Sequence, residues 1–338
     1  MSGVLTPYLK QILDGNHLTA DEAHDAFSLV FSGQSDEVQL SSLLSMLAQR
    51  GACVAEIAGA AHAMREAMIR VPAPANAIDL CGTGGDGLGT LNISTAVSFI
   101  LASLGVPVAK HGNRKMTSKS GATDVLEALG VKVDITPETA ARCLNETGLC
   151  FLSAQSYHPA MKYVTPVRRA LGFRTVFNVL GPMSNPAGVK RQLLGVYADS
   201  WLKDAADILR TLGTEKAWVV HGADGLDEIS LSDSTQVAML DHGDVRCVTI
   251  TPEDAGLPRA PLSAVLGGDA RENAAALRRI FAGEHSAYRN IVLLNAAAAL
   301  IVSDKAETLH DGVAIAAKAI DSGAASRVLD QLIAVTNA

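Results

Sequence analysis

The sequence predicts an α/β protein with two parts: a small all-helical N-terminal domain and a larger α/β domain whose central, largely parallel sheet is flanked by helices. Three observations carry this prediction. Residues 1–72 show helical periodicity only, residues 75–338 alternate short apolar runs with amphipathic stretches, and Val71-Pro72-Ala73-Pro74 separates the two as a helix stop. A chain of 338 residues suits two lobes. With 48% hydrophobic and 19% charged residues it has enough apolar surface for a large core and too little charge for disorder.

In the first lobe, Leu9, Ile12 and Leu13 form a short apolar stripe ended by Gly15. Thr19 and Glu22 have capping-box spacing ahead of Ala23, Phe27, Val30 and Phe31. Leu40, Leu43, Leu44 and Leu47 predict a third helix stopped near Gly51, and Val54, Ile57, Ala61 and Met68 a fourth reaching Val71.

Beyond the prolines, residues 77–81 read as a strand running into a glycine-rich loop, followed by a helix with Val97, Ile100, Leu101 and Leu104 on one face. Gly105 ends that helix, and Val106-Pro107-Val108-Ala109 is the next strand. Residues 125–129 predict a helical turn closed by Gly130, with Val131-Lys132-Val133 after it, and Thr136-Pro137 opens another helix. Residues 149–152 and 217–220 are further buried strands. Strands alternating with helices predict the parallel sheet.

Bulk properties exclude several classes. The net charge of −7 gives no global cationic footprint for nucleic acid. The N-terminal residues lack the pattern of a secretory signal, and no apolar run reaches the roughly 18 residues of a membrane span; residues 291–302 read as a buried helix. The five cysteines, Cys53, Cys81, Cys143, Cys150 and Cys247, include no CxxC pair, which fits a reduced, cytoplasmic enzyme rather than a disulfide scaffold or a zinc site.

Four constellations carry chemistry. The first is Gly82-Thr83-Gly84-Gly85-Asp86-Gly87-Leu88-Gly89-Thr90, leading into Asn92-Ile93-Ser94-Thr95. A glycine loop between a strand and a helix turns its backbone N–H groups toward an anion, and the helix N-terminus adds favourable dipoles, so phosphate or pyrophosphate binding outweighs a plain chain reversal. Gly82, Gly84 and Gly87 also satisfy GxGxxG. A dinucleotide site, however, wants an acidic residue at the end of the next strand, where this chain has Lys110-His111.

The second runs from Lys110 to Gly121. No Asp or Glu occurs between residues 87 and 123, while Lys110, Arg114, Lys115 and Lys119 all do. A short basic run is usually a solvated face; beside the glycine loop it favours a substrate carrying several phosphates, with hydroxyls at Thr117, Ser118 and Ser120 as further donors. The third is Asp227-Glu228, just beyond the 217–220 strand. Such a pair is commonly only solvated, but next to a polyphosphate site it becomes a candidate magnesium site, because Mg²⁺ prefers oxygen ligands shared with phosphate. The fourth joins His158 in HPAMK to Arg168-Arg169, where an arginine fork can clamp a carboxylate. By spacing alone His158 reads as a structural histidine.

Together these segments resemble the anthranilate phosphoribosyltransferases, of the type III nucleoside phosphorylase/phosphoribosyltransferase class. The resemblance rests on GTGGDG at 82–87, NIST at 92–95, KHGNR at 110–114, TSKSG at 117–121, DVLEALG at 124–130, HPAMK at 158–162, VRRALGFRTVFNVLGPMSNPAG at 167–188 and GLDEIS at 225–230, with LNAAAAL and AIDSGAA near the C-terminus. It implies transfer of the 5-phosphoribosyl group from phosphoribosyl pyrophosphate to the amine of anthranilate, a step of tryptophan biosynthesis. It also implies a small domain completed by a helix near 166–180 and a cleft between the domains.

The resemblance further implies site residues. Phosphoribosyl pyrophosphate would be held by Gly82, Gly85, Asp86, Thr90, Asn92, Ile93, Ser94, Thr95, Lys110, His111, Gly112, Asn113, Arg114, Lys115, Met116, Thr117, Ser118 and Ala122. Anthranilate would meet Gly82, Asn113, Arg168, His111 and His158. Two Mg²⁺ ions would involve Ser94, Asp227 and Glu228, and Lys110, Asn113 and Arg168 would be catalytic. Lys115, Met116, Thr117 and Ala122 depart from the family's commoner residues. As partners the resemblance implies a second copy of the chain and allows anthranilate synthase, with neither nucleic acid nor membrane.

Two other readings are weighed on the same residues. A pyrimidine nucleoside phosphorylase-like enzyme would carry a KHSTGG-type segment, which is missing. A non-catalytic nucleic-acid-binding paralogue would need a broad basic cleft, against the −7 charge.

Overall fold

The computed structural model describes residues 3–113 and 120–338. Four helices open the chain: α1 (Thr6–Leu13), α2 (Ala20–Phe31), α3 (Glu37–Arg50) and α4 (Val54–Glu66). The capping box at α2 forms as its spacing predicts, Glu22 N donating to Thr19 Oγ1 at 3.2 Å and Thr19 N to Glu22 Oε2 at 2.8 Å. The periodic residues Phe27, Val30, Leu43, Leu44 and Ile57 are all buried.

Glu56 is buried beneath this lobe, and the chain gives it a full set of donors. Its carboxylate takes Leu18 N and Cys53 N, both at 2.9 Å, pairs with Arg50, and faces His17 Nδ1 at 3.4 Å. His17, Cys53 and Glu56 lie close enough to hold a metal, but both carboxylate oxygens are already occupied, so the cluster is a packing device.

Helix α4 stops at Glu66, short of the predicted Val71, leaving Met68 outside it. The reason is tertiary: Ile69 N donates to Tyr157 O at 2.9 Å and Val71 N to Pro186 O at 3.1 Å, so the linker spends its amides on the second lobe.

The α/β lobe follows in the order β1 (Ile78–Gly82), α5 (Ile93–Ser103), β2 (Val108–Gly112), α6 (Ala122–Leu129), α7 (Pro137–Thr147), β3 (Leu149–Ser153), α8 (Ala154–Tyr157), α9 (Thr165–Leu171) and α10 (Phe177–Leu180). It continues with β4 (Arg191–Gly195), α11 (Leu202–Thr211), β5 (Lys216–Gly222), β6 (Thr235–Asp241), β7 (Asp244–Ile250), α12 (Ala270–Phe281), α13 (Ala287–Val302), α14 (Leu309–Asp321) and α15 (Ala324–Asn337). The strands form one seven-stranded sheet, β3-β2-β1-β4-β5-β6-β7. The first five are parallel, and β6 and β7 add an antiparallel hairpin.

Apolar side chains along the central strands alternate between two cores. Ile78, Leu80 and Val220 pack with α5 and α12 to α15; Leu194, Ala217 and Val219 pack with α11 and the N-terminal helices. The small lobe is therefore continuous with one face of the sheet. Among the described residues no helix is long and apolar enough to cross a membrane.

Three strands escape the sequence reading. β4 starts with Arg191 and Gln192, polar residues that look wrong for a central strand. Their side chains are satisfied at a distance, Arg191 Nη1 by Val302 O at 2.7 Å and Gln192 Nε2 by Pro182 O at 2.8 Å. The β6–β7 hairpin turns through His242 and Gly243, both at positive φ (46° and 97°), a two-residue loop without the usual Asn-Gly signature. Val131-Lys132-Val133 joins no strand; Val131 N returns to Leu126 O at 2.9 Å. The single helix expected near 166–180 is two short ones, because Gly172 (φ 68°) ends α9. The segment nonetheless packs into the small lobe's core, with the Phe177 ring 6.0 Å from that of Phe27 and 6.1 Å from that of Phe31.

Candidate active site

After β1 the chain crosses to β2 and β3 on one side of the sheet, then returns to place β4 and β5 on the other. The carboxyl ends of β1 and β4 thus form a switch point, where open parallel sheets leave a crevice. The glycine loop begins there. Gly84, Gly85, Gly87 and Gly89 take φ between 65° and 79°, a region in which any side chain would be strained. Both ends of the loop are fastened: Thr83 N donates to Gly195 O at 2.8 Å, Leu91 N to Val265 O at 2.9 Å, and Gly267 N to Gly89 O at 2.8 Å. Arg174, which the sequence reading did not single out, donates to Gly85 O while stacking 4.3 Å over the Tyr197 ring.

The Asp227-Glu228 loop lies directly over this crevice. A Cβ on Gly195 would sit 1.6 Å from Asp227 O, and one on Gly82 would sit 2.5 Å from Asp227 Oδ2, so both strands must end in glycine for the loop to approach. Asp227 Oδ2 accepts from Gly84 N at 2.8 Å. Glu228 Oε1 accepts from Ser94 N, in the first turn of α5, at 3.2 Å. Asn295 on α13 clamps the next residue, taking Ile229 N at 2.9 Å and donating to Ile229 O at 2.9 Å.

Lys110 reaches into the same place from β2. It is 3% exposed, donates to Leu80 O and, at 3.1 Å, to Ser94 Oγ, and has no carboxylate within ion-pair distance among the described residues. A buried ammonium that no carboxylate contacts directly, though Glu228 and Asp79 attract it from farther off, is a ready partner for an incoming anion. Burial, with Asp86 and Glu228 close by, pushes the Asp227 carboxyl well above the usual range. Burial likewise lifts Glu228 to about 7, against the pull of Lys110. Hard oxygen donors in surplus over local cations suit a divalent cation shared with phosphate oxygens, so the residues present fit magnesium.

The predicted residues are placed unevenly. Gly82, Gly85, Asp86, Ser94, Lys110, Asp227 and Glu228 converge as described. Ile93 and Thr95 are buried, so Ile93 can meet a ligand only through its backbone N–H, and Thr95 Oγ1 has no hydrogen-bond partner. Thr90 bridges to Leu266, and Asn92 is the N-cap of α5. Gly112 ends β2, Asn113 follows it exposed, and Ala122 opens α6. Arg114, Lys115, Met116, Thr117 and Ser118 lie outside the described residues. Arg168 is half-buried over the Phe177 ring, 5.4 Å from its centroid, and no hydrogen bond joins it to the Lys110 cluster.

His158 sits against His111, Nε2 to Nε2 at 3.2 Å, with both rings almost fully buried. Burial holds the His158 pKa down at about 4 against the backbone of Ser184, and burial together with His158 pushes that of His111 well below its ordinary value. Both are therefore neutral at pH 7. An unfolded histidine titrates near 6.5, so as pH falls from about 6.5 to 4 the unfolded chain takes up protons that the native state refuses. Stability present above pH 6.5 is lost across that window, by about 3 kcal/mol for His158. His158→Gln should flatten the decline between pH 6.5 and 4.5 in denaturant titrations; an equally steep decline in the variant would contradict the assignment.

Comparison with known proteins adds the family. Residues 74–326 match "Glycosyl transferase family, a/b domain" and residues 6–68 match "Glycosyl transferase family, helical bundle domain". The anthranilate phosphoribosyltransferase of Parvibaculum lavamentivorans is 55% identical over 329 residues, covering 97% of this chain and 96% of its own. The chain belongs to the anthranilate phosphoribosyltransferase family. Among solved members, the Thermus thermophilus enzyme superposes with a TM-score of 0.93 at 41% identity, covering 98% of this chain and 99% of its own. The Saccharomyces cerevisiae enzyme, solved with phosphoribosyl pyrophosphate and magnesium, gives 0.91 at 28% identity and covers 98% of both chains. The GTGGDG and GLDEIS segments of this family member, with Lys110 of the KHGNR segment, are the ones that meet at the switch point.

Proposed function

We infer that this enzyme transfers the 5-phosphoribosyl group from phosphoribosyl pyrophosphate to the anthranilate amine, giving N-(5-phosphoribosyl)anthranilate and pyrophosphate in tryptophan biosynthesis. One observation carries the reading: the loop amides, the α5 N-terminus, the buried Lys110 and the Asp227-Glu228 pair all converge on one crevice, through the 2.8 Å, 3.2 Å and 3.1 Å bonds of Gly84, Ser94 and Lys110. A related enzyme of yeast carries phosphoribosyl pyrophosphate and magnesium.

The Lys110 ammonium and the loop amides that are not committed elsewhere, since Thr83 N is bonded to Gly195 O and Gly84 N to Asp227, face the negative charge that grows as the C1–O bond breaks and its electron pair leaves with pyrophosphate. Magnesium held by Ser94, Asp227 and Glu228 supplies further positive charge to those oxygens; two ions are the finer reading, supported by the third carboxylate at Asp86. Asn113 and the Arg168 guanidinium orient the anthranilate carboxylate, so that the amine faces C1. The His111–His158 pair is neutral and adds no charge beside the acceptor, its ring nitrogens being spent on one another and on the backbone of Gly181 and Ser184. An arylamine is uncharged at neutral pH, so the residues must position it rather than deprotonate it, and its surplus proton leaves to solvent after the N–C1 bond forms.

A homodimer belongs to this reading, supported by Leu13 and Val38, which stand 73% and 76% exposed on α1 and α3. So does a cytoplasmic location, while association with anthranilate synthase is open to the same chain.

Loss of anthranilate fluorescence that requires both phosphoribosyl pyrophosphate and Mg²⁺ tests the function. Phosphate-dependent cleavage of a pyrimidine nucleoside instead would support the phosphorylase alternative. In the same assay Arg168→Ala should raise the anthranilate KM by about 10- to 100-fold, the value of a lost charged hydrogen-bond pair. A KM that moved only for phosphoribosyl pyrophosphate would reassign Arg168.

A further inference from the structure

We propose that Asn273, on α12, is a positioning residue that joins the two phosphate loops and sets the orientation of the Asn92 amide. Asn273 lies outside every segment assigned to the site and is 2% exposed. Its Nδ2 donates one hydrogen to Asn92 Oδ1 at 2.9 Å and the other to Ser120 Oγ at 2.8 Å. Asn92 caps α5 at the end of the glycine loop, and Ser120 stands just ahead of α6. One buried amide therefore spans both loops.

Its orientation is determined by a third bond. Asn273 Oδ1 accepts from Gly268 N at 2.8 Å, and a flipped amide would set two donors against each other there. With the Asn273 NH₂ fixed toward Asn92, the Asn92 side chain must present its oxygen to Asn273, which leaves its own NH₂ turned the other way. An anion is bound by donors and repelled by carbonyl oxygens. Asn273 thereby dictates that Asn92 offers a phosphate its donor end. Asn92 is held from its backbone side as well, its carbonyl accepting from Tyr288 Oη at 3.1 Å.

This inference rests on the reading of the crevice as a phosphoribosyl pyrophosphate site. It separates from a purely structural role, because the loss should fall on one substrate. Asn273→Ala should raise the KM for phosphoribosyl pyrophosphate about tenfold and leave the anthranilate KM within about twofold. Asn273→Asp keeps the side-chain volume and the Gly268 bond but demands a donor from Asn92. It should therefore flip that amide, present the oxygen to the anion, and cost more than the alanine variant.

The experiment is a two-substrate kinetic matrix on wild type, N273A and N273D, with thermal unfolding in parallel. An unchanged KM for phosphoribosyl pyrophosphate in N273A, or an equal rise in both KM values, overturns the proposal. Should N273A not fold, an unchanged KM in N273D overturns it. Wild-type protein that takes up no phosphoribosyl pyrophosphate with Mg²⁺ would instead sink the parent reading.

Discussion

Asp227→Asn with Glu228→Gln should lower kcat/KM by about 10³-fold or more while leaving the unfolding temperature equal to or above that of wild type. Both halves of that expectation come from the same geometry. The two carboxylates are held with Asp86 in a desolvated crevice, and their charged forms are disfavoured by burial and by one another. An amide at each position keeps the bonds accepted from Gly84 N and Ser94 N, and relief of desolvation and repulsion offsets the lost attraction of Glu228 to Lys110. The reaction loses the oxygen anions that suit a divalent cation. Steady-state kinetics across a magnesium series, with calorimetry of the metal-free protein, reads both. Turnover and magnesium dependence like wild type would remove the pair from the mechanism.

Gly195→Ala should be the most damaging single change outside the residues named from sequence. Its added methyl would meet Asp227 O at 1.6 Å, backbone against backbone. Neither side can yield easily. Gly195 is paired with Gly82 on one side and Val220 on the other, and its carbonyl takes Thr83 N. The Asp227 loop is held in turn by the Asn295 clamp on Ile229. The loop must therefore lift, at about 2–3 kcal/mol of stability for overpacking, and it carries Asp227 and Glu228 with it, for an expected loss of about 100-fold in kcat/KM. Thermal unfolding and kinetics of the purified variant check it; full activity would show that the loop position is not critical. Gly82→Ala meets chiefly the Asp227 carboxylate, at 2.5 Å, with the Asp227 carbonyl oxygen farther off at 3.4 Å; a side chain yields more readily than backbone, so it should cost less stability.

Local chemistry explains most of what was legible in advance. The Thr19–Glu22 box, the apolar stripes of α2 and α3, Gly130 closing α6, and Pro137 opening α7 all act through neighbours within a turn, so their signatures lie in consecutive residues. The glycine loop was legible for the same reason: positive φ at Gly84, Gly85, Gly87 and Gly89 is a property of those residues. Strand β4 was not, since Arg191 and Gln192 are tolerated in a central strand only because Val302 O and Pro182 O accept from them across the fold.

Composition and spacing by themselves gave a helical lobe, an α/β lobe and a glycine-rich loop between a strand and a helix. Only the tertiary structure decided which distant residues complete the crevice: Gly195 making room for the Asp227 loop, Asn295 clamping it, Arg174 holding Gly85 O, His111 buried against His158, and Asn273 reaching Asn92 and Ser120. Capping and backbone preference are short-ranged and written into neighbouring residues. Close approach, desolvation and the direction of a buried amide depend on what the fold sets opposite, and no window of sequence contains both partners.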